Sequence, residues 1–178
     1  MLFRSKVENE VLELVIYKAD TKIRTKSSKI LPNLLKPLKD ENLKKNKAKL
    51  YMSKMINAIE NEIDNHVCEK YFVHLKEIIE NGGEILNKQE LNELFDKIVS
   101  FFNNLKDRRN KLLAKKENSK NLKNNKKTND DDSDDDNISD LIDEDIEQIE
   151  NIQSEIADNI GILLKTHKNL SEEIVSKY

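Results

Sequence analysis

The fold is decided by residues 64–83, DNHVCEKYFVHLKEIIENGG, which carry the signals of one complete amphipathic helix. Asp64 or Asn65 can cap its start, because a short side-chain oxygen accepts from the free N–H groups of a first turn. Apolar residues then recur at helical spacing, at Val67, Tyr71, Leu75, Ile78 and Ile79. The stretch ends on Asn81-Gly82-Gly83, and Gly tolerates the left-handed backbone that stops a helix. Such a helix must bury its single apolar stripe against other helices.

The same spacing recurs along the rest of the chain and predicts five further helices and a short last one. Asp20 and Asn87 cap the second and fifth helices, Pro37 follows the end of the second, and the fifth runs on towards Lys116. The last segment begins near Leu170. The apolar positions of the five helices are, in chain order, Val7, Val11, Leu14 and Val15; Ile23, Ile30, Leu31, Leu34 and Leu35; Ala48, Met52, Met55, Ile56, Ile59 and Ile63; Leu91, Leu94, Phe95, Ile98, Phe101, Phe102 and Leu105; Ile146, Ile149, Ile152, Ile156, Ile160, Leu163 and Leu164.

The helices are predicted to pair. The first members begin near Val7, Leu43 and Lys88, and the second members begin near Thr21, Asp64 and Glu144. This period of about forty residues is typical of HEAT-type hairpins, which must stack because no pair can bury its stripes alone. The sequence therefore predicts an all-α fold, an α-α superhelix or HEAT-repeat solenoid. About two and a half repeats fill residues 1–117, and residues 144–178 hold the second helix of the third repeat and the start of the next.

A charge discontinuity interrupts the third pair. Residues 106–127 hold ten Lys or Arg and two acids, whereas residues 130–147 hold eleven acids and no base. Like charges at this density repel each other and resist collapse, so residues 118–143 are predicted to form a long disordered insertion. The basic run favours helix continuation or pairing with the acidic run. Nucleic-acid binding is not expected, because no aromatic residue is interleaved for base stacking.

Three stretches resemble a known family in their order and spacing. The first is Asp20-Thr21-Lys22-Ile23-Arg24 followed by 30–35, ILPNLL, which resembles the second helix of a HEAT repeat. The second is 78–102, with its Asn81-Gly82-Gly83 turn, and the third is the charged insertion followed by 156–165, IADNIGILLK. In this order they resemble the karyopherin-beta-three branch of the importin-β superfamily of nuclear transport receptors.

The resemblance implies an internal fragment of a nuclear import receptor. Such a receptor binds basic cargo proteins, a Ran-type GTPase and nucleoporins through a helical solenoid, and shuttles between cytoplasm and nucleus. Two other interpretations stay open. In the first, the chain would be a HEAT-repeat scaffold subunit of another intracellular complex. In the second, it would be an elongated charged coiled coil. A coiled coil predicts uninterrupted heptads, whereas Pro37, Gly82-Gly83 and the acidic run interrupt this chain.

The acidic run supplies the candidate partner-binding residues. A concentrated negative field steers basic partners, so these acids are predicted to contact basic cargo or a basic surface of the GTPase. The alternative is a tolerated low-complexity loop. The candidates are Asp130, Asp131, Asp132, Asp134, Asp135, Asp136, Asp140, Asp143, Glu144 and Asp145. Ser133 and Ser139 precede acids and are candidate phosphorylation sites, where phosphate would deepen the negative charge.

The sequence carries no sign of catalysis. No Gly-rich phosphate loop, nucleophile motif or zinc-binding helix motif is present, so a non-enzyme without cofactors is expected. His66, Cys68 and His74 lie close in sequence but do not share one helix face, and a zinc site needs about four converging ligands. The lone cysteine excludes an internal disulfide framework. No apolar stretch approaches the ~20 residues that span a bilayer.

Overall fold

A computed structural model describes residues 2–125 and 133–177, and the described chain is all-helical. Seven helices occur in these two ranges: α1 Leu2–Leu14, α2 Thr21–Leu35, α3 Glu41–Glu60, α4 Asn65–Gly82, α5 Lys88–Asn125, α6 Ser133–Thr166 and α7 Lys168–Lys177. The all-α prediction is confirmed. Each apolar pattern read from the sequence falls on a helix, except that Val15 lies just after α1 and Ile63 lies in the loop after α3, where it is 92% exposed.

Short polar side chains set the helix starts as the sequence predicts. The Oδ1 atom of Asp20 accepts from the N–H groups of Lys22 and Ile23 at 2.7 and 3.1 Å. Asp64, not Asn65, caps α4, and Asp40 caps α3 in the same way. Gly83 ends α4 with φ of 68°, the left-handed conformation that favours glycine.

Asn87 opens α5 with a reciprocal pair of bonds. Its Oδ1 accepts from the N–H of Glu90 at 3.0 Å, while the Glu90 carboxylate accepts from the N–H of Asn87 at 3.1 Å. This capping box satisfies two donors of the helix start. The pKa of Glu90 is lowered, mainly by hydrogen bonding to Lys49 and also by Asn87.

Consecutive helices pack as pairs, and the second members form a row. α1 packs against α2, α3 against α4, and α5 against α6, while α4 also contacts α2 on one side and α6 on the other. α4 is therefore the centre of the core. Its buried apolar residues are Val67, Cys68, Tyr71, Phe72, Leu75, Ile78 and Ile79.

Buried polar bonds fix the helices of the row against each other. Ser28 on α2 donates to the Thr25 carbonyl, and its Oγ lies 2.8 Å from Nδ1 of His74 on α4. Because the Ser28 proton is used, His74 is the donor in that contact. On the other side of α4, Asn159 Nδ2 donates to the Phe72 carbonyl at 2.9 Å. These bonds set which turn of each helix meets which turn of its neighbour.

A buried ion pair joins the first and second hairpins. Arg24 donates to both oxygens of Glu62, from Nε at 2.8 Å and from Nη2 at 3.1 Å. Arg24 Nη1 also donates to the carbonyls of Tyr17 and Lys18, both at 3.1 Å. Glu62 Oε1 accepts in addition from two backbone N–H groups of the α3–α4 loop. One guanidinium thus holds two inter-helix loops together.

His167 lies between α6 and α7 and is fully buried. The N–H of Leu86 donates to its Nε2 at 3.2 Å, so Nδ1 carries the proton that faces the Leu163 carbonyl at 3.0 Å. The imidazole therefore fastens the α4–α5 loop to the turn before α7.

Helix extends into both ends of the segment that the sequence assigns to a disordered insertion. Residues 118–125 belong to α5 and residues 133–143 belong to α6. Opposite charges on the two helices pair across the hairpin, which offsets the repulsion within each run. Residues 126–132 lie outside the described residues, and the division of the chain into domains stays a prediction.

Candidate protein-interaction surface on α6

The predicted acidic residues divide into three groups. Asp130, Asp131 and Asp132 lie outside the described residues. Ser133, Asp134, Asp135 and Asp136 form the start of α6, where only the backbone is described. Asp140, Asp143 and Glu144 are exposed, whereas Asp145 and Ser139 are partly buried. The insertion predicted to be a loop thus presents its later acids on a helix.

Two of these acids pair with the basic run of α5. Asp143 forms an ion pair with Lys116, and an oxygen of Asp145 lies 3.9 Å from Nη2 of Arg108. One turn further along α6, Glu150 accepts from Nε of Arg109 at 2.7 Å. These pairs are solvent-exposed, so each stabilises the hairpin by less than about 1 kcal/mol. Charge pairing between the two runs, which the sequence favours, is therefore present.

The remaining acids follow one face of α6. Asp140, Glu144 and Glu147 are spaced by four and three residues, and the same face continues through Glu155 and Asp158. We call these five residues the acidic face of α6. It is about 27 Å long at the ~1.5 Å rise per residue of an α-helix.

One end of the acidic face has no basic partner among the described side chains, although Glu144 accepts from Nε2 of Gln148 at 3.3 Å, and the other end is paired with Lys76. Asp140, Glu144 and Glu147 are exposed, and no lysine or arginine pairs with them among the side chains that the structure describes. Lys76 of α4 donates to Asp158 at 2.8 Å and to Glu155 at 3.4 Å. The hydrogen bond to Asp158 is the main cause of a raised pKa for Lys76.

Sequence reasoning missed three members of this face. Glu147, Glu155 and Asp158 were not among the predicted contact residues: Glu147 is the last acid of the dense run, and Glu155 and Asp158 lie beyond it. Their four- and three-residue spacing was the signal that could have found them, once α6 was taken as continuous helix.

Two cavities lie elsewhere on the molecule. The first, of about 360 Å³, borders the Arg24–Glu62 pair, and the second, of about 310 Å³, lies between α3 and α5. The first is lined by Ile16, Lys18, Arg24, Asn57, Ala58, Asn61, Glu62, Ile63 and Tyr71.

The buried titratable groups serve packing. Burial, with the nearby Glu62 and Asp64 carboxylates, raises the pKa of the Cys68 thiol to about 12, so it stays protonated and unreactive. Burial is also the main cause of the lowered pKa of His74. In residues 2–125 and 133–177, no group of three or more His, Cys, Asp and Glu side chains is arranged to hold a metal ion.

Neither a scan against protein-family models nor a search of the curated proteins matched this chain. Within the part of the chain that the structure describes, no helix has the length and apolarity needed to cross a bilayer.

Proposed function

We propose that the chain is a segment of a helical-repeat scaffold that binds basic proteins, of the nuclear import receptor class. The observation that carries this proposal is the row α2, α4 and α6, formed by the second helices of three consecutive hairpins. A row of this kind is the core of HEAT-type repeats, whose stacked helices offer an extended binding surface. The partners of the proposed class are basic cargo, a Ran-type GTPase and nucleoporins, met during shuttling between cytoplasm and nucleus.

The acidic face of α6 is the proposed contact for a basic segment. Its exposed end, from Asp140 to Glu147, presents three carboxylates over about two helical turns. Exposed charges act over only ~8 Å at physiological salt, so the attraction is short-ranged and requires close docking. Recognition of this kind contributes mainly to association rate and to rejection of acidic partners.

Asp143 and Asp145 contribute less than the sequence predicts. Each already faces a base of α5, so a basic ligand must displace Lys116 or Arg108 before it gains either carboxylate. Because one surface ion pair is exchanged for another, the free energy of binding changes little. Asp140, Glu144 and Glu147 are therefore the acids whose removal should weaken binding most.

The direct test is fluorescence anisotropy with a labelled Lys/Arg-rich peptide at low and physiological salt. The variant Asp140→Asn/Glu144→Gln/Glu147→Gln should bind at least about fivefold more weakly, because three exposed charge contacts are lost. A variant of three exposed acids outside α6, Glu10→Gln/Glu13→Gln/Glu80→Gln, is the control for net charge, because it removes the same number of carboxylates. Equal affinity of the α6 variant and wild type at low salt would contradict the contact.

A scaffold subunit of another complex is the second candidate. The pairing of Asp143 and Asp145 with α5 favours it, because acids used within the hairpin are structural. Immobilised protein should distinguish the two. A transport receptor retains the GTP-bound GTPase more than the GDP-bound form and binds phenylalanine-glycine repeats of nucleoporins. A scaffold subunit retains neither of them.

A further inference from the structure

The outer side of α2 carries a basic stripe. Lys22, Lys26, Lys29 and Lys36 follow each other at intervals of four, three and seven residues, with Asn33 completing the spacing. All five residues are exposed, and the opposite side of α2 is buried in the core. We call the four lysines the lysine face of α2. It is about 21 Å long at the α-helical rise of ~1.5 Å per residue.

The charge of this face is largely uncompensated. Lys36 has a loose pair, with Nζ 3.8 Å from the Glu77 carboxylate and both side chains exposed. No carboxylate pairs with Lys22, Lys26 or Lys29 among the described side chains. Like charges spaced by three or four residues on one helix destabilise it. An anionic ligand on this face would remove that repulsion.

We propose that the lysine face of α2 binds an acidic polypeptide segment of another protein. An extended chain advances ~3.3 Å per residue, so about six or seven residues cover the face. Ile30, which is 40% exposed beside the stripe, offers an apolar contact that a peptide side chain can use. The partner is therefore a short acidic stretch with one apolar residue.

The residue types favour a peptide over a nucleic acid. The face has lysines and one aliphatic residue, and the arginine of α2, Arg24, is buried in its pair with Glu62. Binding of a single strand uses aromatic platforms for the bases, and the exposed side of α2 has none. A lysine ammonium is a compact charge that pairs with a carboxylate in many orientations, so it does not need the fixed geometry that an arginine would offer a phosphate.

The two ends of the helix row carry opposite charge. α2 presents the lysine face, α6 presents the acidic face, and α4 between them has mixed pairs such as Lys70–Glu69 and Lys76–Asp158. An acidic segment is attracted to α2 and repelled at α6, so its position along the row is fixed by charge. This site is independent of the proposed contact for basic cargo.

The test is anisotropy of a fluorescein-labelled seven-residue peptide of alternating Asp and Glu with one central Leu, added to the full chain. Binding should be saturable and weaken as salt rises. The variant Lys22→Gln/Lys26→Gln/Lys29→Gln should bind about tenfold more weakly, since each exposed ion pair changes affinity about twofold. Helix content should stay unchanged and the Tm should not fall, because the three side chains are exposed and their removal relieves the repulsion between them.

The control variant removes three exposed lysines on other helices, Lys45→Gln/Lys111→Gln/Lys165→Gln, and should bind the peptide as wild type does. Equal affinity of wild type and the α2 variant would overturn the proposal, and so would equal losses in the two variants. Tighter binding of a single-stranded oligonucleotide at the same lysines would assign the face to nucleic acid instead. Self-association of wild type that the α2 variant abolishes in light scattering would assign it to a second copy of the chain.

Discussion

Replacing Arg24 by Met would remove the guanidinium that joins the first two hairpins. Both side chains of the pair are buried, with 9% of Arg24 and 6% of Glu62 exposed. The substitution keeps an unbranched side chain that can fill the space, so the loss is one of charge and hydrogen bonding. It leaves Glu62 without its cation, and the carbonyls of Tyr17 and Lys18 without their donor.

Removal of one partner from a buried ion pair costs about 3–5 kcal/mol. We expect the lower end of this range of destabilisation for Arg24→Met, for two reasons. Glu62 keeps the N–H groups of Ile63 and Asp64, both at 3.0 Å, and the neighbouring cavity gives water access to its carboxylate. We expect Arg24→Met to lower the free energy of unfolding by about 3 kcal/mol. That loss corresponds to a fall in Tm of about 6–12 °C for a chain of this size.

Urea unfolding followed by circular dichroism measures this loss. Arg24→Lys should recover part of it, because one ammonium keeps the charge but cannot reach the carboxylate and both carbonyls. The double variant Arg24→Met/Glu62→Met should be less destabilised than the sum of its singles, by about 2 kcal/mol, because it leaves no unpaired buried charge. A loss below about 1 kcal/mol for Arg24→Met, or strictly additive losses, would refute the reasoning.

The remaining predictions concern pH, helix contact and surface charge. The pKa of buried His74 lies below its ordinary 6.5, so the unfolded state binds the proton first, and the free energy of unfolding should fall as pH drops below about 6.5. His74→Gln should flatten that slope in urea titrations at several pH values; an unchanged slope would contradict it. A Cβ at Gly82 would lie 2.7 Å from the Cβ of Ala48, so Gly82→Ala should cost about 1–2 kcal/mol. Gly161→Ala, with open space around it, should instead stabilise by about 0.5–1 kcal/mol in the same measurement. Arg109→Glu should lower stability by no more than about 1 kcal/mol at low salt and by nothing measurable at 1 M salt; a larger or salt-independent loss would show a role beyond an exposed ion pair.

The helices and their order were predictable from the sequence, because caps and apolar spacing are local signals. Asp20, Asp64 and Gly83 mark their helix ends through their own backbone neighbours. The extent of α5 and α6 was not predictable in the same way. Charge density within one segment indicates repulsion, but it does not show that a second segment of opposite sign packs beside it.

The negative charge of the candidate site was predictable from the sequence, but which acids are exposed and unpaired was not. The acidic run predicted Asp140 and Glu144 as contact residues, and both are exposed in the structure. The pairing of Asp143 with Lys116 depends on how two helices meet, which no local pattern encodes. The lysine face of α2 was not predicted, because its lysines are separated in sequence by the apolar residues that the helix buries and so form no local run of charge.

The polar bonds on both sides of α4 restrict how the row of helices can move. Sliding α2 or α6 past α4 by one turn, ~5.4 Å, would restore much of the apolar contact but would break the Ser28–His74 bond or the bond from Asn159 to the Phe72 carbonyl. Translation by one turn is therefore disfavoured by about 1 kcal/mol for each lost bond, whereas a small tilt loses neither bond. Rotation about these two bonds is accordingly an easier change of shape for the row than sliding.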